Sequence, residues 1–331
     1  MPFRRRLLLA GAILFAAALL SRCAGAPASK VPPAEAAPPA DVHSLVASGV
    51  PFPIGTPVVH WNDPGGYSAY RTGKYFAKEA VPDGKLRYAP LRGGLPAAIA
   101  ERAAARGGLD LADLRQVVHQ FVIHFDVAGT SRQCFKILQD NRNLSVHFLL
   151  DVDGTIYQTL DLREKAWHAT IANDFSVGVE IAHPGAYPQP MNAAMARFYE
   201  RDELGWKAKF PSWLEYGVRT PGFVARPDRP EIVEGVVQGQ RLYQLDFTPQ
   251  QYRALAHLCA GLNEVFPRIR LDAPRQPDGQ IRQTALTETE LRAFDGLVGH
   301  FHVQKNKNDP GPAFQWERVI REARQIRATR R

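Results

Sequence analysis

Hydrophobic and polar positions change rhythm several times along the chain, and each change marks an element. VVHQFVIHF (117–125) is a β-rich apolar run of the length of a buried strand. SVHFLL (145–150) and TIYQTL (155–160) flank Asp153-Gly154, a hairpin signal, and FSVGVEIA (175–182) is a further strand. Helical spacing takes over elsewhere. LPAAIAERAAARGG (95–108) predicts a helix stopped by Gly107-Gly108, and SRQCFKILQDN (131–141) carries apolar residues at 134, 135, 137 and 138. Thr248-Pro249-Gln250-Gln251 has the form of a capped helix start, followed by an apolar face of Tyr252, Leu255, Ala256, Cys259, Leu262 and Phe266. Thr287 and Glu290 repeat the capping-box pattern; LVGHFHV (297–303) predicts a short strand or strand end, and FQWERVIREARQIR (314–327) a closing amphipathic helix. Residues 51–95 predict loops and short strands, and 183–246, rich in Pro, Gly and aromatics, an irregular long insertion or lid. Strands mixed with helices predict an α/β class, a mixed central β-sheet flanked by helices.

The N-terminus follows different rules. Arg4 to Arg6 precede 14 apolar residues, Leu7 to Leu20, too short for a membrane span and suited to an export signal over 1–26. Ala24-Gly25-Ala26 offers a cleavage site, and Leu20-Ser21 before Cys23 offers a lipoprotein signal instead, with Arg22 where a small residue is expected. Lipidated Cys23 would attach the chain to a membrane. Residues 27–42, rich in Pro and Ala, predict an extended linker. The location expected is therefore periplasmic or cell-envelope associated.

Composition narrows the class. At 331 residues, 45% hydrophobic and 22% charged, the chain is neither disordered, collagen-like nor a polytopic membrane protein. Four of the positive charges behind a net +8 are Arg4, Arg5, Arg6 and Arg22 at the signal, so no nucleic-acid footprint remains. Three cysteines exclude a disulfide scaffold and a four-Cys zinc site. Cys134 and Cys259 are either a disulfide or two buried thiols.

Candidate chemistry gathers on few residues. His124 ends the first apolar strand, and His300 precedes Asp309 by nine residues in GHFHVQKNKNDPGP. Two imidazoles and a carboxylate make a three-ligand site with a fourth position open, the catalytic arrangement for Zn²⁺. In an extended segment His302 would point the same way as His300 and compete with it. Lys307, two residues before Asp309, is either an oxyanion-facing cation or a solvated loop lysine. Glu180 sits on a largely apolar strand, costly unless paired or functional.

Taken together, VIHF (122–125), SVHFLLDVDGTIYQ (145–158), AWHA (166–169), NDFSVGVEI (173–181) and VGHFHVQKNKNDPGPAF (298–314) resemble the zinc-dependent N-acetylmuramoyl-L-alanine amidases of the type 2 group, which share a fold with peptidoglycan recognition proteins. The resemblance spans about 117–327. It implies a zinc amidase domain at 111–328 with an insertion at about 183–246, and leaves 43–110 as an N-terminal extension. It implies zinc ligands at His124, His300 (after Gly299, in preference to His302) and Asp309. It makes Glu180 the general base and acid, with Val146 standing where other branches carry a catalytic Tyr, and Lys307 the oxyanion partner. His168 and Asn173 are implied to line the substrate groove; Trp167 either stacks on sugar or packs the core. Tyr157 is a weak substitute for Glu180. The implied reaction hydrolyses the amide between the lactyl group of N-acetylmuramic acid and L-alanine in peptidoglycan or muropeptides.

Two rivals differ in kind. A non-catalytic peptidoglycan-binding module would have lost a ligand, whereas all three positions are filled. The second rival is another zinc amidohydrolase or peptidase acting on different amides; the common zinc proteases among them would carry HExxH, and none is present.

Overall fold

The computed structural model describes residues 44–77, 82–211 and 217–330. The expected signal (1–26), the linker (27–42), Cys23 and His43 lie outside the described residues. β1 (Ser44–Ala47) and β2 (Val50–Pro53) form an antiparallel hairpin. Its turn, Ser48-Gly49, has positive φ at both residues, as a two-residue hairpin loop requires. β3 (Val58–His60) and the short β4 (Tyr88–Ala89) follow, then α1 (Ala97–Arg106), stopped by left-handed Gly107, and α2 (Leu111–Val117), capped by Asp110. β5 (Gln120–Phe125) leads to α3 (Ser131–Lys136), which widens into a π-helical turn over Ile137–Arg142. β6 (Phe148–Leu150) and β7 (Ile156–Gln158) are the expected hairpin, and β8 (Lys165–Ala166) pairs with β4. After a 3₁₀ turn at Thr170–Asp174 comes β9 (Ser176–Ile181).

The 183–246 segment is more regular than its composition predicts. It holds α4 (Ala193–Phe198) and two antiparallel hairpins, β10 (Tyr199–Asp202) with β11 (Gly205–Ala208), and β12 (Val233–Val237) with β13 (Gln240–Gln244). The chain then continues through α5 (Pro249–Val265), α6 (Glu288–Ala293), β14 (Gly296–Gly299), the single turn α7 (His300–Val303) and α8 (Trp316–Thr329). Both expected capping boxes are formed, Thr248 with Gln251 and Thr287 with Glu290.

The central sheet is mixed, in the order β14-β5-β9-β6-β7-β3. β14, β5, β9 and β6 are mutually parallel; β7 runs against β6, and β3 runs parallel to β7. β3 thus joins the segment 43–110 to the sheet. Strand alternation sorts the side chains by face. Phe121, Ile123 and Phe125 of β5 and Val177, Val179 and Ile181 of β9 enter the main core with α5 and α8. The other face carries Val122, His124, Gly178 and Glu180. A second core on that side, near β6 and β7, packs Tyr67, Phe135, Leu149 and Tyr157. Cys134 and Cys259 are free buried thiols in different core clusters, so the disulfide alternative falls. No described helix is long and apolar enough to cross a membrane.

Candidate metal centre and substrate groove

Three parallel strands end at one place. His124 is the penultimate residue of β5, Glu180 that of β9, and His300 follows directly on β14. Crevices at the carboxyl ends of parallel strands are the usual location of sites in such sheets. From α7 the chain loops back, and the Phe301 amide donates to the Asp309 carbonyl (3.1 Å), returning the carboxylate to His300.

His124 Nδ1, His300 Nδ1 and Asp309 Oδ2 meet in a triangle with sides of 2.9, 3.0 and 3.0 Å. All three side chains are buried, and they are the only group of three or more His, Cys, Asp or Glu among the described residues arranged to hold an ion. The far sides of both rings are engaged. His124 Nε2 lies 3.0 Å from His168 Nδ1, and His300 Nε2 lies 2.8 Å from Gln304 Oε1. In the tautomers that place both ring protons on Nε2, three lone pairs face one another with no hydrogen between them. Such an arrangement calls for a cation, and imidazole, imidazole and carboxylate suit a divalent transition metal; ligands at about 2.0–2.2 Å around tetrahedral zinc are only slightly farther apart. Burial and the neighbouring His300 lower the His124 pKa to about 4, which keeps its lone pair free. For Asp309, burial is outweighed by His300 and His124, which hold it below the ordinary carboxylate range.

His302 is turned away. Its Nδ1 accepts from the Gly299 amide (2.9 Å) and its Nε2–H donates to the Arg282 carbonyl (2.6 Å). The expectation that His300 and His302 share a direction fails because the chain becomes helical one residue after β14, and a helical turn separates positions two apart.

A groove of about 460 Å³ opens beside the triangle, within the range of small-ligand sites. Trp167, His168, Glu180, Lys307, His300 and Asp309 line it, with Phe125, Leu138, Leu144 and the exposed Arg142 and Lys305. Glu180 is half-buried, and its Oε2 has no hydrogen-bond partner. Burial, then the facing carboxylates Asp309 and Asp126, push its pKa well above the usual range. Two expected groove residues behave differently. Asn173 does not line the groove; its Oδ1 accepts from the amides of His168 (3.0 Å) and Ala169 (2.7 Å), so it shapes the loop that presents His168. His168 reaches the groove but is committed to His124, in space left by Gly178, where a Cβ would stand 2.5 Å from the imidazole. Tyr157 is buried in the second core, away from the groove.

One supporting residue has no sequence signal. Arg92 is buried, and its guanidinium donates to the carbonyls of Leu162 (2.8 Å), Glu164 (2.9 Å), Asn173 (3.1 Å) and Ser176 (2.8 Å), tying the loop behind His168 to β9. An arginine in a Gly/Pro-rich stretch reads as solvated surface until its carbonyl partners are seen.

Residues 114–202 match the family model Amidase_2, N-acetylmuramoyl-L-alanine amidase. Within the matched segment lie His124, Trp167, His168, Asn173 and Glu180, while His300, Lys307 and Asp309 lie beyond it. Among solved structures, the chain is similar to a selenomethionine AmpD derivative (17% identical, covering 78% of this chain and 97% of that one, TM-score 0.33). It is also similar to the N-acetylmuramyl-L-alanine amidase AmiD from E. coli in complex with its substrate anhydro-N-acetylmuramic acid-L-Ala-D-gamma-Glu-L-Lys (17% identical, TM-score 0.34). That match covers 62% of this chain and spans 57% of AmiD. A third is the endolysin N-acetylmuramoyl-L-alanine amidase LysCS from Clostridium intestinale (15% identical, covering 64% and 86%, TM-score 0.33). None of the curated proteins compared matches the chain.

Proposed function

We propose that this chain is a zinc-dependent amidase that hydrolyses the bond between the lactyl carbonyl of N-acetylmuramic acid and the nitrogen of L-alanine in peptidoglycan or muropeptides. The observation that carries this is the convergence of His124 Nδ1, His300 Nδ1 and Asp309 Oδ2 at the wall of a groove that also holds Glu180. These three atoms would hold the ion, which when bound polarises the scissile carbonyl and acidifies the attacking water. The family match over 114–202 supports the same reading, and the export signal expected from residues 1–26 would agree with a substrate outside the cytoplasm.

The chain's own residues account for the proton traffic. Glu180 takes a proton from the attacking water and returns it to the departing alanine nitrogen, which would otherwise leave as an amide anion. A carboxyl with a raised pKa suits both halves of that transfer, because it holds the proton long enough to deliver it near neutral pH. Lys307 puts a positive charge on the groove wall beside Asp309, where the carbonyl oxygen becomes negative. Trp167 offers an aromatic face in the same groove for a sugar ring. A binding-only module would need neither three intact ligands nor an unpartnered carboxyl beside them. Lipid attachment through Cys23 would keep the enzyme at the envelope.

The test is product analysis of digested cell wall and soluble muropeptides by mass spectrometry, with and without a chelator. Peptides with a free N-terminal L-alanine, plus glycan with an intact lactyl group, are expected, and the chelator should abolish them. Cleavage within the peptide, or binding without turnover, contradicts the proposal.

A further inference from the structure

Of the insertion's two hairpins, β12–β13 stands against both downstream metal-site segments. Its turn, Gln238-Gly239, has φ of 53° and 73°. Gln238 is bound on every side. Its amide donates to the Gln283 carbonyl (2.9 Å), and its Oε1 accepts from the Ala285 amide (3.2 Å). Its Nε2 donates to the carbonyls of Phe301 (2.6 Å), inside the turn that begins at His300, and Gln304 (3.1 Å), the residue that caps it. Gln304 in turn accepts from His300 Nε2.

At the other end of the hairpin, buried Gln244 does the same for the second ligand. Its Nε2 donates to the Pro310 carbonyl (3.1 Å) and its Oε1 accepts from the Ala313 amide (2.9 Å), bracketing the loop that leaves Asp309. Contacts are close enough to demand glycine on both sides. A Cβ at Gly235 would stand 2.6 Å from Pro312 Cβ, and Gly311, at φ 85°, packs directly on the Gln244 amide.

We infer that the β12–β13 hairpin is a clamp that preorganises the metal site, with Gln238 and Gln244 as positioning residues for His300 and Asp309. The inference rests on the metal reading above. His124 needs no such aid, because β5 lies inside the sheet. His300 and Asp309 lie on a single turn and a loop, and the hairpin supplies the rigidity those segments lack. Neither glutamine lies in the segment that matches the amidase family model. Groups bonded directly to metal ligands typically govern metal affinity by about 10–100-fold, and Gln238 and Gln244 reach the same two ligands through the backbone that carries them.

The experiment measures Zn²⁺ affinity by chelator competition in Gln238→Ala, Gln244→Leu and a control, Gln158→Leu. Gln158, at the end of β7, is as buried as Gln244 and bridges Val46 and Leu160, so its loss costs stability without touching the ligands. Expected is a Zn²⁺ affinity lower by about 10–100-fold in the two clamp variants and unchanged in the control, even where melting temperatures fall alike. Clamp variants with wild-type affinity, or a control as weakened as they are, would overturn the clamp. A wild-type chain that binds no zinc would overturn the metal reading and the clamp with it. If Gln244→Leu does not fold, Gln238→Ala, on a half-buried turn, decides alone.

Discussion

Glu180 stands directly opposite His124 in the parallel register of β5 and β9. Both side chains leave the sheet on the same face, so a carboxyl with no hydrogen-bond partner on Oε2 is carried beside the candidate metal-holding triangle by strand pairing alone. Pairing fixes that separation more firmly than any loop could. The arrangement separates two tasks, since Glu180 is no part of the triangle and its loss should leave the ligands in place.

Glu180→Gln is therefore expected to retain zinc and to lower turnover on muropeptide by about 10²-fold or more, as loss of a general base typically does. Metal content and single-turnover rates on the same preparation check this. Turnover at the wild-type rate would move the base to another residue.

Gly178→Ala is expected to destabilise the fold by about 1–3 kcal/mol, because the new methyl group meets the His168 imidazole that is bonded to His124. Urea unfolding measures the cost. An unchanged midpoint would mean that His168 moves freely and does not brace His124.

Arg92→Leu should cost about 3 kcal/mol or more, since it leaves four carbonyls without their charged donor in a buried place. Burial lowers the Arg92 pKa to about 10, so the guanidinium stays charged at neutral pH. Stability equal to wild type in denaturant would show that water replaces it.

Acid sensitivity has a definite sign. His147 and His183 are buried and neutral, each with both ring nitrogens on backbone partners. Burial lowers their pKa to about 3 and about 4 respectively. Between those values and the unfolded pKa near 6.5 the unfolded chain binds more protons, so their contribution is intact above about pH 6.5 and is lost as pH falls toward the folded values. Each adds about 1.4 kcal/mol per pH unit inside that window. His183→Gln should flatten the slope of unfolding free energy against pH by about one proton. An unaltered slope would mean that His183 is charged in the fold.

Much of this was legible in local chemistry. The Thr248/Gln251 and Thr287/Glu290 boxes mark helix starts because capping is a contact three residues long. Alternation along FSVGVEIA puts Glu180 on the face opposite Val179 and Ile181, as observed. What escaped depends on distant partners. The His300 and His302 directions turn on a change from strand to helix that β-rich composition hides. The hairpins within 183–246 are masked by surrounding Pro and Gly, with Gln238 supplying a positive φ that a turn motif would usually assign to Gly or Asn. Arg92 and Asn173 do their work through backbone groups, which carry no residue-type signal.

Hydrolysis is expected to depend on one zinc ion held by His124, His300 and Asp309, and zinc stoichiometry after exhaustive dialysis, measured beside muropeptide turnover, decides whether it does. One zinc per chain is expected in the wild type and none in His300→Ala, with turnover lost in that variant and lost in the chelated wild type until zinc is returned. Zinc retained by His300→Ala, or full turnover by a metal-free chain, would contradict it.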